Sequence, residues 1–257
     1  MVYFKRTQGC IKLVLGKTLK MENNMKSSSA ITVIYYTANM LKEDFAERVR
    51  QELLKSIGDL PLISISKKPL DFGQNILDLE PDRSVINVYK AVLTASKLAK
   101  TKYVALCEDD ALYSPSHFHS FRPDLDTFAY NLTRWNLFTW SKPPFYSIKF
   151  RRILASLIAP RELLINALEE RFDKYPDLSK LPEKWMGEPG RNDYEAMLGV
   201  KQQKAVDFYT YDPLVVFSHP DSLGFVVQGS KKRANPVRAL EIPYWGRAED
   251  VLKKYYL

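Results

Sequence analysis

The sequence predicts an α/β fold in which a mostly parallel sheet is flanked by helices and a half of mixed strands follows. Between residues 31 and 107, apolar runs alternate with amphipathic segments, a pattern typical of parallel strands joined by helices. Polar residues follow each apolar run directly. Beyond residue 120 the alternation weakens into short apolar pieces, which predicts mixed strands and long loops.

The first strand and helix are predicted from composition and periodicity. Residues 31–36 are all β-branched or aromatic, as is typical of a buried strand. An apolar residue then recurs every four positions from Phe45 to Ile57, which predicts an amphipathic helix. Asn39 is a suitable cap for its start, and Gly58 for its end.

The same pattern continues along the first half. Residues 62–66 read as a second strand, and a loop containing Pro69, Gly73 and Pro81 follows. Apolar spacing over 85–98 then predicts a second helix, and residues 103–107 a third strand. Because ligands of such sheets bind beyond the carboxyl ends of the strands, we expect the polar residues there to line one site.

Three carboxylates follow the third strand, at Glu108, Asp109 and Asp110. In an extended chain Glu108 and Asp110 would point to one side and Asp109 to the other. Carboxylate oxygens suit Mg²⁺ or Mn²⁺, which take further ligands from water and phosphates. A solvated acidic turn explains the triplet equally well. Ser66 ends the neighbouring strand and is a candidate for the same site.

The second half contains shorter signals. Apolar pieces lie at 127–130, 153–159, 206–211 and 214–217, and a helix is predicted over 160–172 with Pro160 at its first position. Neither a GxGxxG dinucleotide loop nor a P-loop occurs in the sequence.

Composition limits the remaining possibilities. The chain has 257 residues, 46% of them hydrophobic, which suffices for a large buried core. Two cysteines without zinc spacing predict a reduced, cytoplasmic protein, and no apolar run approaches the ~20 residues of a membrane span. The net charge is +8, but the first 29 residues carry +5 of it. We therefore expect a basic, poorly ordered tail over 1–29.

Six segments together carry a resemblance to a known family: ITVIYYT (31–37), PLDFGQNI (69–76), CEDDALYSPSHF (107–118), NLTRW (131–135), WMGEPG (185–190) and FSHPD (217–221). In this order they resemble the nucleotide-sugar glycosyltransferases of the GT-A fold, close to the family-two type and to uncharacterised phage and bacterial members. The resemblance implies one Rossmann-like domain over 30–257. Its nucleotide-binding half would be 30–120 and its acceptor-side half 121–257.

The resemblance also implies a metal site for Mn²⁺ or Mg²⁺. Asp110 matches the metal-binding aspartate, whereas Glu108 stands where an aspartate is usual. His219 resembles the late histidine that completes the metal shell, although a histidine before a proline also commonly starts a turn. Asp109 would reach the ribose or sugar of the donor.

Further donor contacts are implied at the first strand's end. Tyr35, Tyr36 and Thr37 resemble the segment that packs against the base, and alternation must bury one of the two tyrosines. Asn131 and Trp135 fit a wall that stacks on a sugar ring, although an isolated tryptophan is commonly just buried.

Glycosyl transfer to a hydroxyl requires a group that accepts the hydroxyl proton. Glu188 is the candidate base and Asp193 the reserve; a carboxylate base favours inversion at the anomeric carbon. The glycines and proline around Glu188 predict a tight loop.

The predicted function is therefore metal-dependent transfer of a sugar from a nucleotide-diphosphate donor, with a UDP-sugar expected, to an acceptor hydroxyl. The runner-up names DNA as the acceptor: a phage-type enzyme acting on hydroxymethylated bases, suggested by the basic leader, the run at 231–233 and Arg238. A non-catalytic nucleic-acid or carbohydrate binding module is the alternative from another class.

Overall fold

A computed structural model of the protein describes residues 3–7, 10–14, 31–80, 84–220 and 234–257. In chain order its strands are β1 (Tyr3–Thr7), β2 (Cys10–Val14), β3 (Ile31–Thr37), β4 (Leu62–Ser66), β5 (Gln74–Leu77), β6 (Tyr103–Glu108), β7 (Ala111–Leu112), β8 (Thr127–Asn131), β9 (Arg134–Phe138), β10 (Tyr146–Ile148), β11 (Leu157–Pro160), β12 (Lys204–Phe208), β13 (Leu214–Ser218), β14 (Arg238–Ala239), β15 (Glu241–Ile242) and β16 (Gly246–Arg247). The helices are α1 (Glu43–Ile57), α2 (Val85–Leu98), α3 (Pro115–His119), α4 (Arg161–Lys174), α5 (Asn192–Leu198) and α6 (Ala248–Val251).

The central sheet has seven strands in the order β12-β8-β11-β6-β3-β4-β5. Strands β5, β4, β3 and β6 run parallel to one another, and β8 runs parallel to β12. Strand β11 is antiparallel to both of its neighbours. The predicted α/β class with a mostly parallel sheet and a mixed second half is confirmed.

Helices cover both faces of this sheet, and the alternation of β3 divides the core between them. Ile34 and Tyr36 belong to the apolar cluster that includes α2 and α4. Val33 and Tyr35 belong to the cluster that includes α1 and α3. The sequence pattern predicts burial of one of the two tyrosines, whereas both Tyr35 and Tyr36 are buried, on opposite faces of the strand.

A smaller sheet, in the order β14-β10-β9-β13-β7, brings the second half to the end of β6. Strand β7 directly follows the acidic triplet and pairs antiparallel with β13. The backbone N–H of Phe217 donates to the carbonyl of Asp110 at 2.9 Å. The end of β13, and with it His219, is therefore fixed beside the triplet.

The C-terminal residues pack against α1, which sequence patterns did not predict. Val251 and Tyr255 share an apolar cluster with Phe45 and Val49 of α1. The Tyr255 hydroxyl donates to Glu52 Oε2 at 2.8 Å. None of the described helices is both long and apolar enough to cross a membrane.

Several predicted boundaries need correction. Helix α1 begins at Glu43, and Asn39 does not cap it; Asn39 has a φ of 51° and accepts a hydrogen bond from the Lys68 backbone N–H at 2.9 Å. Pro160 is the last residue of β11, so α4 begins one residue later than predicted. Gly58 ends α1 as predicted.

Several strands lie where none was predicted, among them β5, β1 and β2. Strand β5 lies within the predicted loop and is short and largely exposed, so its sequence has no clear apolar alternation. In the leader, β1 and β2 pair as an antiparallel hairpin, which the composition of residues 1–29 did not indicate. The functional division of the chain at residue 120 stays a prediction.

Candidate active site

Asp110 and His219 lie side by side at the carboxyl end of the central sheet. His219 Nε2 is 3.3 Å from Asp110 Oδ2, and the two residues are 3% and 7% exposed. Neither ring nitrogen of His219 has a hydrogen-bond partner among the described residues, because the 3.3 Å approach lacks hydrogen-bond geometry. Buried polar atoms are normally satisfied, and a neutral imidazole is a common metal ligand. An oxygen and a nitrogen that face each other in this way fit a shared divalent cation.

Aromatic rings hold His219 in place. The rings of Phe45 and Tyr256 lie 6.1 and 6.2 Å from the imidazole, measured between centroids, and lie 5.1 Å from each other. The position of His219 therefore depends on α1 and on the chain end as well as on β13.

Glu108 and Asp109 connect the ends of β6 and β3. The Tyr36 hydroxyl donates to Glu108 Oε1 at 2.6 Å, and the Thr37 hydroxyl donates to Asp109 Oδ2. Strand β6 ends at Glu108 and the next two residues form a turn, so the alternation expected of an extended triplet does not continue to Asp110.

The predicted metal trio is only partly brought together. Asp110 and His219 are adjacent, whereas Glu108 is engaged by Tyr36. Within the described ranges, no group of three or more His, Cys, Asp or Glu side chains is close enough to hold a metal ion.

A cleft opens beside these carboxylates, between the ends of β3 and β4 and the start of α2. Its lining includes Tyr36, Thr37, Lys67, Asp78 and Asn87. Lys67 Nζ is 2.7 Å from Asp78 Oδ2, so one cation and one anion border the cleft. The predicted donor residues Tyr36 and Thr37 therefore line this cleft, although Tyr36 is itself buried.

Tyr35 and Ser66, also predicted to bind the donor, do not line this cleft. Tyr35 is fully buried in the core and packs edge-on against Phe72 at 4.9 Å between ring centroids. The Ser66 hydroxyl donates to the Lys68 carbonyl at 2.6 Å and accepts from Asn75 Nδ2 at 2.9 Å. Both residues support the site from within the protein.

The predicted stacking wall is also a structural element. Asn131 is fully buried; its Nδ2 donates to Thr210 Oγ1 at 3.0 Å and lies 3.3 Å from His117 Nδ1. Burial lowers the pKa of His117 to about 3, so its imidazole is neutral near pH 7. Trp135 packs against the cluster around Phe45, on the face of β9 opposite to Arg134.

The loop that carries Glu188 is fixed by its backbone. Arg171 donates to the Gly187 carbonyl at 2.8 Å, and the Tyr130 hydroxyl donates to the Pro189 carbonyl at 2.6 Å. The backbone N–H of Gly190 donates to Glu195 Oε1 at 2.8 Å. These bonds hold the loop on both sides of Glu188.

The two glycines of this loop are required for close packing. A Cβ on Gly187 would collide with the Tyr194 ring, and a Cβ on Gly190 would collide with Ala205. Gly190 also has a φ of +79°, which disfavours other residues. The predicted tight loop is confirmed.

A buried ion pair that the sequence analysis missed lies behind the loop. Arg171 and Glu195 have side chains 1% exposed and approach to 3.3 Å. Glu195 also accepts the Gln203 backbone N–H at 2.9 Å. The only sequence signal for this pair was a carboxylate and a guanidinium within otherwise apolar helix faces.

Glu188 and carboxylates of the acidic triplet affect the pKa values of the same two side chains, Arg134 and Tyr89. Burial, together with the nearby Arg151, lowers the pKa of Arg134 to about 10, and Glu108, Glu188 and Asp110 oppose that shift. Burial also raises the pKa of Tyr89, and the charges of Glu188 and Glu108 add to this rise. Carboxylates from β6 and from the Glu188 loop therefore both influence the pKa values of Arg134 and Tyr89.

Asp193, the reserve base, has a different environment. It lies in the first turn of α5 with its side chain 66% exposed, 3.3 Å from Arg191 Nε. It does not line the cleft that contains Glu188. Of the basic residues proposed to contact an anion, Arg238 stacks on Phe145 at 4.8 Å, and residues 231–233 lie outside the described residues.

No protein-family model and no curated protein sequence matches the chain. Among solved structures, it is similar to a glycosyltransferase involved in glycosylation of the major capsid of PBCV-1, with 11% identity over 73% of this chain and 93% of the other, at a TM-score of 0.43. It is also similar to the apo-form glycosyltransferase GlyE of Streptococcus pneumoniae TIGR4, with 11% identity, 69% and 45% coverage and a TM-score of 0.39. A third similar structure is the bifunctional IspDF of Campylobacter jejuni, with 12% identity, 71% and 50% coverage and a TM-score of 0.40. The chain spans about half the length of the latter two, and TM-scores this low do not bear on its activity.

Proposed function

We propose that the protein is a glycosyltransferase that moves a sugar from a nucleotide-diphosphate donor, with a UDP-sugar expected, to an acceptor hydroxyl. The observation that carries the proposal is the Asp110–His219 pair together with the strand-end cleft at the carboxyl edge of the sheet. Glu188 acts with Glu108 and Asp110 on one buried guanidinium, that of Arg134. A binding module needs no such combination of a candidate metal pair and a rigidly held carboxylate.

Asp110 Oδ2 and His219 Nε2 are the atoms that would hold Mn²⁺ or Mg²⁺. Carboxylate oxygen and imidazole nitrogen together suit Mn²⁺, with the remaining positions taken by water and phosphate oxygens. When bound, the cation supplies Lewis-acid chemistry that neutralises the charge developing on the diphosphate.

The donor is oriented by residues of the strand-end cleft. Tyr36 and Thr37 line it, and their hydroxyl groups also bind Glu108 and Asp109. The ring and the carboxylates are thereby held in a fixed relation before any ligand arrives. Such preorganisation reduces the entropy that must be lost when reactants are brought together.

Glu188 is the proposed general base. The acceptor oxygen attacks the anomeric carbon of the sugar, and the bond between that carbon and the diphosphate oxygen breaks with its electron pair leaving on the nucleoside diphosphate. The acceptor proton passes to Glu188. Attack on the face opposite the leaving group inverts the anomeric configuration.

Nucleotide binding tests the proposal. UDP, GDP and TDP are titrated calorimetrically into the full chain with and without Mn²⁺, and nucleotide release from the corresponding sugars is measured. Asp110→Asn should weaken binding in Mn²⁺ by tenfold or more, whereas Asp126→Asn, a matched change of a 60%-exposed side chain, should not. Equal affinities in the two variants, or absence of nucleotide binding by the wild-type chain, would contradict the proposal.

Two further measurements separate the alternatives. A non-catalytic module with a structural triplet predicts that nucleotides and Mn²⁺ leave the thermal midpoint unchanged, because only a ligand of the native state raises it. DNA as acceptor predicts duplex affinity that falls steeply as salt rises.

A further inference from the structure

Glu188 also lines a cleft on the acceptor side that is rich in arginine. Its lining consists of Arg151, Arg152, Glu188, Arg191 and Tyr194, and its empty volume is about 730 Å³ including space open to solvent. Three arginines thus line the same cleft as the carboxylate proposed to take the acceptor proton. None of them was a candidate in the sequence analysis.

One of the three arginines is part of the scaffold. Arg152 Nε is 2.7 Å from Asp207 Oδ1, and its other nitrogens donate to the carbonyls of Gly190 and Ala205 at 3.2 and 3.1 Å. These contacts occupy all three guanidinium nitrogens and three of the five N–H groups. Arg152 therefore fixes the wall of the cleft and has little capacity left for a ligand.

Arg191 is held in a defined plane. Its guanidinium carbon lies 3.4 Å from the centre of the Tyr194 ring, and its Nη1 is 3.8 Å from Glu188 Oε2. Stacking on an aromatic face preorganises the planar donor group for two-point contact with an oxyanion.

Arg151 carries a charge that no carboxylate balances. Its side chain is exposed to the cleft and forms no ion pair with any residue in the described ranges. It lies close enough to the buried Arg134 to lower the pKa of that guanidinium. The positive charges of Arg151 and Arg134 repel each other, and an anion bound at Arg151 would reduce this repulsion.

We propose, on the basis of the function proposed above, that the acceptor is a phosphorylated polyol or sugar. Its phosphate binds Arg151 and Arg191, and a neighbouring hydroxyl of the same molecule reaches Glu188. Guanidinium groups make paired, charge-assisted hydrogen bonds with phosphate oxygens, and more than one of them suits a group with two negative charges.

The surroundings of the cleft favour a small phosphomonoester over a nucleic-acid strand. Asp193 and Asp207 flank the arginines with side chains 66% and 35% exposed. A polyanion continuing out of the cleft would pass these carboxylates, and like charges at close range repel. A single phosphate within the cleft avoids both.

Binding without donor or metal tests this inference. Glycerol 3-phosphate and glycerol are titrated separately into the full chain, and binding is followed by ligand-observed NMR. Arg151→Gln should weaken glycerol 3-phosphate binding about tenfold to a hundredfold, because this change in affinity corresponds to the loss of one charge-assisted hydrogen bond. Arg191→Lys keeps the positive charge but loses the planar guanidinium group, so it should weaken glycerol 3-phosphate binding less than Arg151→Gln does. Arg247→Gln, a matched change at a 66%-exposed arginine elsewhere, should leave binding unchanged.

The outcomes are distinct from those of the nucleotide titration. Equal glycerol 3-phosphate affinity in the Arg151 and Arg247 variants, or equal binding of glycerol by the wild type, overturns the inference even if nucleotides bind. Tighter, salt-dependent binding of a single-stranded oligonucleotide overturns it in favour of a nucleic-acid acceptor. If nucleotides do not bind but the Arg151-dependent phosphate site persists, the glycosyltransferase proposal fails and the oxyanion site remains.

Discussion

Replacing Gly187 with alanine perturbs the Glu188 loop at its most crowded point. The added Cβ would collide with the Tyr194 ring, with Cε2 of that ring 2.9 Å away. The Gly187 carbonyl is held by Arg171, so either the loop or the ring has to move. We expect a loss of about 1–3 kcal/mol in the free energy of unfolding, as for other overpacked sites. A displacement of Glu188 by about 1 Å should lower the rate of transfer on the order of 100-fold.

Gly58→Ala is the matched control for this experiment. Gly58 has a φ of +56°, and a Cβ added there would meet no heavy atom within 4 Å, so alanine costs about 1–3 kcal/mol of backbone strain without a collision. Urea unfolding and nucleotide release are measured for both variants. The reasoning predicts similar losses of stability and a rate loss at Gly187 alone. A full rate in Gly187→Ala, or equal rate losses in both variants, would refute it.

Glu188→Gln should lower the rate of nucleotide release about 10²- to 10⁴-fold, whereas Asp193→Asn should not; the opposite result would make Asp193 the base. Glu195→Ala should lower the free energy of urea unfolding by about 3–5 kcal/mol, because Arg171 stays buried without its partner, and a loss below about 1 kcal/mol would contradict the role of this pair. Burial lowers the pKa of His117 to about 3 from 6.5, so between these values the unfolded chain binds one more proton than the folded chain and stability falls as the pH drops. Between pH 6.5 and 4.5 this amounts to about 2 kcal/mol, and His117→Phe should lose that part of the pH dependence in urea unfolding; an unchanged slope would show that His117 does not cause it.

The first half of the fold could be predicted from local pattern. Strands β3, β4 and β6 and helices α1 and α2 have strong apolar periodicity, and each lies within a few residues of its predicted position. Short elements such as β5, β7 and β14 have too few residues for a period to be recognised. They form because a neighbouring strand supplies hydrogen bonds, which local sequence does not encode.

The sequence predicted which types of residue lie at the candidate site better than it predicted the directions of their side chains. Alternation required that one of Tyr35 and Tyr36 be buried, but which face meets the cleft depends on the packing of α1 and α2. Trp135 packs against the cluster around Phe45, and the other face of β9 carries Arg134. Strong aromatic signals therefore identified the strands correctly but did not show which face each ring would occupy.

Long-range contacts bring together side chains that no local sequence pattern connects. The resemblance implied a shared metal site for Asp110 and His219, whereas Arg151 and Arg191 were not candidates. The approach of His219 to Asp110 follows from the antiparallel pairing of β13 with β7, which joins segments about a hundred positions apart. The arginine cleft combines Arg151 with Arg191 in a similar way. Neither pairing leaves a periodic or spacing signal in the chain.

The central claim is that Asp110 and His219 jointly hold a divalent cation next to the donor diphosphate. Crystals grown with UDP and Mn²⁺ test it most directly through anomalous difference density at a wavelength where manganese scatters. The account predicts one peak within bonding distance of Asp110 Oδ2 and His219 Nε2, adjacent to the phosphates. Bound UDP with no manganese peak at that pair, or with the peak at other side chains, would contradict it.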